Sequence, residues 1–278
     1  MKKNLIAISI TVIFIFNFTF LIIISNYSSA QSDEGNIIYV NLNGLEDYTK
    51  IQDAINAANN HDTVYVYSGT YNENIFIDKI INLVGEDAET TIIDGGKNDD
   101  VVTLSPSSNW VNITGFTIQY SGFQDNNAGI NVNSDYNRIA ANIIKNCKCG
   151  IALDFWGHNC IVDDNTLEKN AYGIIVYSVN PNNNIFYRNR FVNNIINAYD
   201  DSNSKWDYQN KGNYWDDYNG TDSNDDGVGD SPYNITGGCA KDNYPLIEPA
   251  EETPGFEMLI LIISFTLVIY LKKKRNYL

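Results

Sequence analysis

The chain has few side chains that bind soft metals and little positive charge. Its 278 residues include two histidines, two methionines, and 18 lysines and arginines against 34 aspartates and glutamates, for a net charge of −16. A surface this acidic repels phosphate backbones, which argues against nucleic acid as a partner. Cations and neutral glycans are the partners that this charge permits.

Cysteine is also scarce, with four residues: Cys147, Cys149, Cys160 and Cys239. In an exported chain they would permit two disulfides in three connectivities. A copper-type site formed by Cys147, Cys149, His158 and Cys160 is the alternative. Because His61 is the one other histidine, and Met1 and Met258 lie in terminal segments, we favour disulfides or buried thiols over copper.

The N-terminal segment has the pattern of an export signal. Lys2 and Lys3 precede an apolar run over residues 5–24, and small residues follow at 28–30. This pattern predicts a signal peptide over residues 1–30, cleaved after Ala30, with an uncleaved membrane anchor as the alternative.

The C-terminal segment predicts attachment to the outer face of the cell membrane. Residues 258–271 are apolar and are followed by four basic residues at 272–275, a pattern that stays on the cytoplasmic side. Pro254-Gly255-Phe256, the apolar stretch and the basic cluster resemble the PGF-CTERM sorting signal of archaeal surface proteins. That resemblance implies removal of the tail and its replacement by a lipid anchor.

A repeat of about 23 residues runs through the second half of the chain. Within each unit, apolar residues alternate over short runs bounded by Asn, Asp, Ser and Gly, which indicates strands and turns. Residues 113 and 118 continue the register upstream with a spacing of 26, so residues 121–127 form an insertion. Five rows of equivalent residues keep the register: Ile139, Val162 and Phe186; Asn142, Asn165 and Asn189; Ile144, Leu167 and Phe191; Gly150, Gly173 and Asn197; Ile151, Ile174 and Ala198.

This repeat predicts an all-β fold, a single-stranded right-handed parallel β-helix of about six coils. Residues 48–59 place apolar side chains at helical spacing and predict an N-terminal capping helix, with Asp47 or Thr49 as its cap. The predicted organisation is a signal peptide (1–30), a linker (31–36), the β-helix (37–206), an irregular C-terminal cap (207–247), a second linker (248–254) and the sorting tail (255–278).

Two long segments resemble known β-helix proteins. Residues 48–96, beginning YTKIQDAINAANNHD, are similar to the opening of NosD-like and related carbohydrate-binding β-helix proteins. Residues 213–235, NYWDDYNGTDSNDDGVGDSPYNI, together with DNYPL at 242–246, resemble the close of the same proteins. The resemblance implies the fold, and for some members a link to copper delivery.

The predicted cap contains an acidic loop with the spacing of a calcium site. Oxygen-bearing side chains stand at loop positions 1, 3, 5 and 9, with Gly227 at position 6 and a backbone carbonyl at position 7. Position 12 is Tyr233 rather than Glu, so the loop is not an EF-hand. The sequence predicts structural Ca²⁺ bound by Asp222, Asn224, Asp226, Val228 and Asp230; the alternative is a solvated acidic turn.

Exposed aromatic residues among amides and carboxylates indicate a glycan-binding surface, with a partner protein as the second option. Asp154, Trp156 and His158 alternate in sequence and are predicted to project from one side of one strand as the ligand-binding patch. Trp206 and Trp215 are predicted to pack inside the cap instead.

A polysaccharide-cleaving enzyme is the competing hypothesis. Asp163-Asp164 and Gly157-His158 are similar to elements of polygalacturonases, and acid and base chemistry would need such carboxylates. They stand in the opposite order, and the other motifs of those enzymes are missing. The sequence therefore favours a binding or structural module over an enzyme that uses Asp163, Asp164 and His158.

Overall fold

A computed structural model describes residues 35–124, 127–177 and 182–247. The predicted signal peptide, the second linker and the sorting tail lie outside these residues. All elements below belong to one unit that begins at Ile37. In the described part of the chain, the structure has no helix with the length and apolar character needed to cross a bilayer.

Within the described residues, 23 strands, numbered β1 to β23 in chain order, form three seven-stranded parallel sheets and one hairpin. Sheet A contains Ile37–Val40 (β1), Thr63–Val66 (β2), Asn82–Gly85 (β5), Asn112–Thr114 (β8), Arg138–Ala140 (β11), Ile161–Asp163 (β14) and Ile185–Tyr187 (β17). Sheet B contains Gly69–Tyr71 (β3), Thr91–Asp94 (β6), Thr117–Gln119 (β9), Ile143–Lys145 (β12), Thr166–Glu168 (β15), Arg190–Val192 (β18) and Tyr214–Trp215 (β20).

Sheet C contains Ile75–Ile77 (β4), Val102–Leu104 (β7), Ala128–Val132 (β10), Cys149–Leu153 (β13), Tyr172–Val176 (β16), Ile196–Asp200 (β19) and Thr236–Gly237 (β22). The hairpin pairs Tyr233–Asn234 (β21) with Lys241–Asp242 (β23). Six coils contribute one strand to every sheet, and partial coils at the two ends bring each sheet to seven strands. The predicted parallel β-helix is confirmed, with about seven turns rather than six.

The register of the sheets matches the repeat in the sequence. Ile139 pairs with Val162, which pairs with Phe186, and Ile113 precedes Ile139 in the same row. These side chains point inward and are fully buried, so each coil covers the apolar row of the next. Full burial of one such side chain contributes about 1.5–3 kcal/mol, which makes these rows the main source of stability.

Buried asparagines join successive coils at the turn between sheets A and B. We call Asn142, Asn165, Asn189 and Asn213 the asparagine ladder. The backbone N–H of each donates to the side-chain oxygen of the next, at 3.0, 3.1 and 3.0 Å. Each side-chain amide also donates to a backbone carbonyl of the preceding coil, as Asn165 does to Ile139 at 2.8 Å. The ladder satisfies polar groups that would otherwise be buried without partners.

A short helix, α1 (Ile51–Ala57), closes the N-terminal end. Ile51, Ala54 and Ile55 lie on one face and are buried against the first coil, as their spacing predicts. The helix is shorter than the predicted 48–59, and the predicted cap is wrong. Lys50 is the N-cap residue and makes no side-chain capping bond.

The first turn of α1 is satisfied by a residue from the first coil. The Glu73 carboxylate accepts the N–H groups of Ile51 and Gln52 at 2.9 and 3.0 Å. Asp47 instead accepts the N–H of Tyr39 at 2.9 Å. A negative charge at a helix N-terminus is favourable, so Glu73 supplies the function that was expected of Asp47 or Thr49.

Aromatic rings close the C-terminal end. Trp206 stacks on Phe186, and Trp215 stacks on Phe191, each with ring centroids 4.3 Å apart. Both tryptophans are buried, which confirms that they pack inside the cap. Two buried carboxylates accept their indole N–H groups: Asp200 from Trp206 and Asp242 from Trp215, both at 2.9 Å.

Candidate functional site

The turn between sheets C and A, here the C–A corner, repeats one backbone conformation from coil to coil. Trp110, Tyr136, Asn159 and Asn183 occupy equivalent positions and have φ angles of 63°, 60°, 55° and 57°. Asparagine tolerates this left-handed conformation, whereas bulky residues rarely adopt it. Neighbouring coils hold the two aromatic residues there. The backbone N–H of Trp110 donates to the backbone carbonyl of Asp135 (3.2 Å), and that of Tyr136 donates to the backbone carbonyl of His158 (2.9 Å).

The two aromatic residues form a flat, solvent-exposed surface that we call the aromatic platform. The rings of Trp110 and Tyr136 stack with centroids 4.5 Å apart and planes 5° apart. Trp110 is 61% exposed and Tyr136 is 44% exposed. Two bulky residues thus have an unfavourable backbone conformation, and their rings are exposed to solvent. Packing into the core therefore does not account for aromatic residues at these two positions.

All three predicted ligand-binding residues lie in the same corner, between the end of β13 and the start of β14. Strand β13 ends at Leu153, and the N–H of Gly157 donates to the carbonyl of Asp154 at 2.9 Å. The prediction that Asp154, Trp156 and His158 lie along one strand is therefore wrong. Trp156 is 67% exposed, so the same corner carries a further aromatic ring in solvent. Burial, followed by the charge of Asp100, raises the pKa of Asp154.

His158 is held by a carboxylate from the preceding coil. Its Nδ1 lies 2.9 Å from the Asp135 carboxylate, which also accepts the His158 backbone N–H at 3.0 Å. The backbone carbonyl of His158 accepts the N–H of Tyr136. His158 therefore supports the platform residue Tyr136 through the backbone and offers a polar edge next to it.

The carboxylates proposed for catalysis are each paired with an arginine. Arg138 binds the buried Asp163 through two contacts of 3.0 and 2.8 Å, and the Tyr187 hydroxyl donates to the same carboxylate at 3.2 Å. Arg188 lies 2.7 Å from Asp164. Burial raises the pKa of Tyr187 to about 12, and the charge of Asp163 adds to this shift. Both carboxylates thus bind side chains of neighbouring coils and join one coil to the next.

The four cysteines are free thiols in separate surroundings. Cys147 and Cys160 belong to the inner core, whereas Cys149 lies in a small apolar cluster on the outer side of sheet C. Burial raises the pKa of Cys147 to about 11, and those of Cys149 and Cys160 to about 12. Thiolates are the form that binds copper, and within the described residues no three His, Cys, Asp or Glu side chains gather around one point. These cysteines do not fit a copper site.

The acidic loop of the cap folds back on itself. Asp222 accepts the N–H groups of Asp226 and Gly227 at 3.2 and 2.8 Å, and Gly227 has a φ of 83°. Asp226 accepts the side-chain amide of Asn224 and the N–H of Val228, both at 2.9 Å. The loop thus brings three of the five predicted calcium ligands together around Asp226.

The remaining ligands are held by neighbouring segments. Hydroxyl groups of Ser223 and Thr221 donate to Asp230 and lower its pKa. Val228 bridges to Leu246, which fixes the loop to the end of the cap. Calcium binding by this loop stays a prediction.

Trp110 and Tyr136 were not singled out in the sequence, although a signal for them was present. Trp110 precedes Tyr136 by the same spacing that separates Ile113 from Ile139. Applying the same 26-residue spacing to the turns between the strands would have identified Trp110 and Tyr136 as equivalent positions. Their exposure depends on the left-handed turn, which residue type alone does not indicate for an aromatic residue.

Comparison with known proteins agrees with the resemblance seen in the sequence. Residues 117–220 match the protein family described as "Periplasmic copper-binding protein (NosD)". This confirms the NosD-like resemblance over that part of the solenoid. No curated protein matches the chain.

Solved structures of pectin methylesterases are similar to this chain. The carrot enzyme is 16% identical with a TM-score of 0.45, covering 65% of this chain and 71% of its own. The Aspergillus niger enzyme in deglycosylated form is 18% identical with a TM-score of 0.36, covering 67% and 65%. A pectin methylesterase in complex with a hexasaccharide is 13% identical with a TM-score of 0.41, covering 56% and 66%. At this identity and overlap, the likeness carries no conclusion about activity.

Proposed function

We propose that this chain is an exported β-helix module of the cell surface that binds glycan through the aromatic platform. Its basic and apolar N-terminal segment, and the periplasmic description of the family matched by residues 117–220, support export. The apolar and basic C-terminal segment supports anchoring. Mass spectrometry of the mature chain tests both, because cleavage after Ala30 and loss of the tail each change the mass.

The exposed stack of Trp110 and Tyr136 is the observation that carries the proposal. Sugar rings have apolar faces that pack on flat aromatic surfaces, and their hydroxyls need hydrogen-bonding neighbours. The corner supplies both, because the stack is exposed and the His158–Asp135 pair is joined to Tyr136 through the backbone. The acidic surface accepts a neutral glycan without the repulsion that a polyanion would meet.

The contacts of Asp163 and Asp164 support binding rather than cleavage. A general acid or base must reach the bond it acts on, but Asp163 is buried and bound by Arg138 and Tyr187. Asp164 is bound by Arg188. Detection of polysaccharide cleavage by this chain would contradict the proposal.

Glycan-array binding of the full chain, followed by calorimetric titration of the best neutral glycan, tests the platform. Trp110→Ala combined with Tyr136→Ala should weaken binding by roughly tenfold to a hundredfold, since each aromatic contact contributes about 0.5–1.5 kcal/mol. Alanine keeps the left-handed turn no better than the aromatic residues do, so melting temperature is recorded as a check on folding.

Two other exposed rings provide a matched control. Phe76 and Tyr208 are 51% and 43% exposed and lie outside the platform. Phe76→Ala combined with Tyr208→Ala should leave the affinity unchanged. An equal loss in both double variants, or an array with no glycan bound, contradicts the proposal. Release of reducing or unsaturated sugars, abolished by Asp163→Ala, would show an enzyme instead.

The proposal includes a structural calcium ion in the acidic loop. Its support is the spacing of Asp222, Asn224, Asp226, Val228 and Asp230, together with the fixation of Val228 on Leu246. An ion there would join carboxylates that repel one another when it is absent.

A further inference from the structure

The turn between sheets B and C, the B–C corner, carries a groove of about 410 Å³. We call it the lysine groove, because three lysines line it together with aromatic and aliphatic residues: Lys97, Lys148, Lys169, Tyr120, Phe123 and Ile195. Its volume lies in the range of small-ligand sites, roughly 300–1,000 Å³. The groove lies at a different corner from the aromatic platform and has a different chemistry.

The repeat builds this groove along several coils. Tyr120, Asn146, Lys169 and Asn193 are equivalent corner residues with φ angles of 58°, 56°, 55° and 55°. Each therefore occupies the same turn of a successive coil, and coils are about 4.8 Å apart. The groove runs parallel to the solenoid axis, so it suits an extended ligand rather than a compact one.

Positive charge in the groove stands out against the rest of the chain, which has 18 basic and 34 acidic residues. Lys97 places its Nζ 5.4 Å from the centre of the Tyr120 ring, a cation–π contact, and within the described residues it forms no ion pair with a carboxylate. Lys148 forms no ion pair with a carboxylate among the described residues. Lys169 lies 3.6 Å from Glu168 and is 58% exposed.

The walls between the lysines are apolar and open to solvent. Phe123 is 66% exposed and Ile195 is 83% exposed. Exposed apolar surface next to Lys97 and Lys148, which form no ion pair within the described residues, suits a ligand that has both an apolar ring face and a negative group. Asn146 and Asn193 on the same corner add amide groups that can bind hydroxyls.

The charge balance narrows the class of anion. A nucleic acid or other dense polyphosphate would extend beyond three lysines and meet the acidic surface of a chain with net charge −16. Sugars that carry one carboxylate per ring or fewer spread their charge along the groove. We propose that the lysine groove binds an acidic oligosaccharide, in which a few uronic acid units lie along the B–C corner within reach of the three lysines.

Paired ligands that differ only in their carboxylates test the proposal. The full chain is titrated calorimetrically with oligosaccharides of glucuronate, galacturonate and mannuronate, and with the neutral oligosaccharides of the corresponding hexoses. At least one uronate should bind more tightly than its neutral counterpart, and added salt should weaken that binding. Replacement of Lys97, Lys148 and Lys169 by Gln should reduce its affinity roughly tenfold.

A second triple variant separates a local site from overall charge. Lys50, Lys211 and Lys241 are exposed and lie away from the groove, and their replacement by Gln changes the net charge equally. This control should retain uronate binding. Equal losses in both triple variants, or the absence of uronate preference in all three pairs, would overturn the proposal. Trp110→Ala with Tyr136→Ala should leave uronate binding intact, so failure of the platform and failure of the groove are distinguishable.

Discussion

The two ends of the solenoid are closed by different chemistry. At the N-terminal end, helix α1 places aliphatic residues on the first coil, and Glu73 is the carboxylate that binds its exposed first turn. At the C-terminal end, the asparagine ladder continues into the cap, where the N–H of Asn213 donates to the Asp242 carboxylate at 2.7 Å. The N-terminal end is covered by aliphatic side chains, whereas the C-terminal end combines stacked aromatic rings with hydrogen bonds that continue those of the coils to a buried acid.

The difference shows where polar groups control stability. The aliphatic contacts of the N-terminal lid carry no charge, so pH and cations do not act on them, and the Glu73 carboxylate acts only at the first turn of α1. A cap built on buried carboxylates depends on both protonation and counter-ions. The C-terminal end should therefore respond to solution conditions more strongly than the N-terminal end.

Breaking the ladder in the middle should have the largest effect. Asn165→Leu keeps a similar volume but leaves the N–H of Asn142 and the carbonyl of Ile139 without these partners. Each buried group left unsatisfied costs about 1–3 kcal/mol, so the free energy of unfolding should fall by about 3–5 kcal/mol.

Denaturant unfolding measures this change, and Asn56→Leu on the exposed side of α1 is the control. Asn56 contacts Gln52 at the surface, so its replacement should stay within about 0.5 kcal/mol. Similar losses for the two variants would show that the ladder contributes no more than a surface amide.

Asp242 should make the C-terminal end sensitive to pH. Burial raises its pKa from the ordinary value of 3.8 to about 6, although bonds from Asn213 and Trp215 oppose the shift. A raised acid pKa means that folding favours the protonated form. Its contribution is complete below pH 3.8 and is lost as the pH rises through 6, a change of about 3 kcal/mol.

Melting temperature measured between pH 4 and 7 tests this prediction. Burial also raises the pKa values of Asp100, Asp154 and Asp164, so part of the slope remains without Asp242. Asp242→Asn should flatten the slope, because asparagine does not titrate. A variant with the same slope as the natural chain would show that this carboxylate is not the sensor.

Calcium should stabilise the same end by a smaller amount. Binding to the folded loop alone raises the free energy of unfolding by about 2.7 kcal/mol when calcium is 100 times its dissociation constant. Asp226→Ala should remove this increment while leaving the metal-free melting temperature nearly unchanged, since it relieves repulsion in the empty loop.

Asp225→Ala is the matched control, because Asp225 lies in the same loop outside the predicted ligand set. It should retain the calcium response in a thermal scan with and without chelator. An identical melting temperature of the natural chain in calcium and in chelator would reduce the loop to a solvated acidic turn.

The sequence was sufficient for the solenoid, its N-terminal helix and the buried tryptophans of the cap, but not for the polar contacts at the two ends or for the surface. The rows through Val162 and Leu167 recur once in every coil at a nearly constant spacing, so strand register could be read from that spacing. Glu73 and Asp242 bind partners 22 and 29 residues away outside that register, so no local pattern indicated them. The strand predicted through Trp156 failed because chain direction changes at Asp154, where a turn begins.

Because of the repeat, the number of coils determines the length of both candidate binding surfaces. Arg138 pairs with Ile161 at the same position of the next coil, so an added coil of equal length would keep the backbone register of the strands on both sides of it. Such an insertion would lengthen the C–A and B–C corners together while leaving α1 and the cap unchanged. The length of an extended ligand that the protein can contact therefore depends on the number of coils. That length can increase one coil at a time while both ends stay the same.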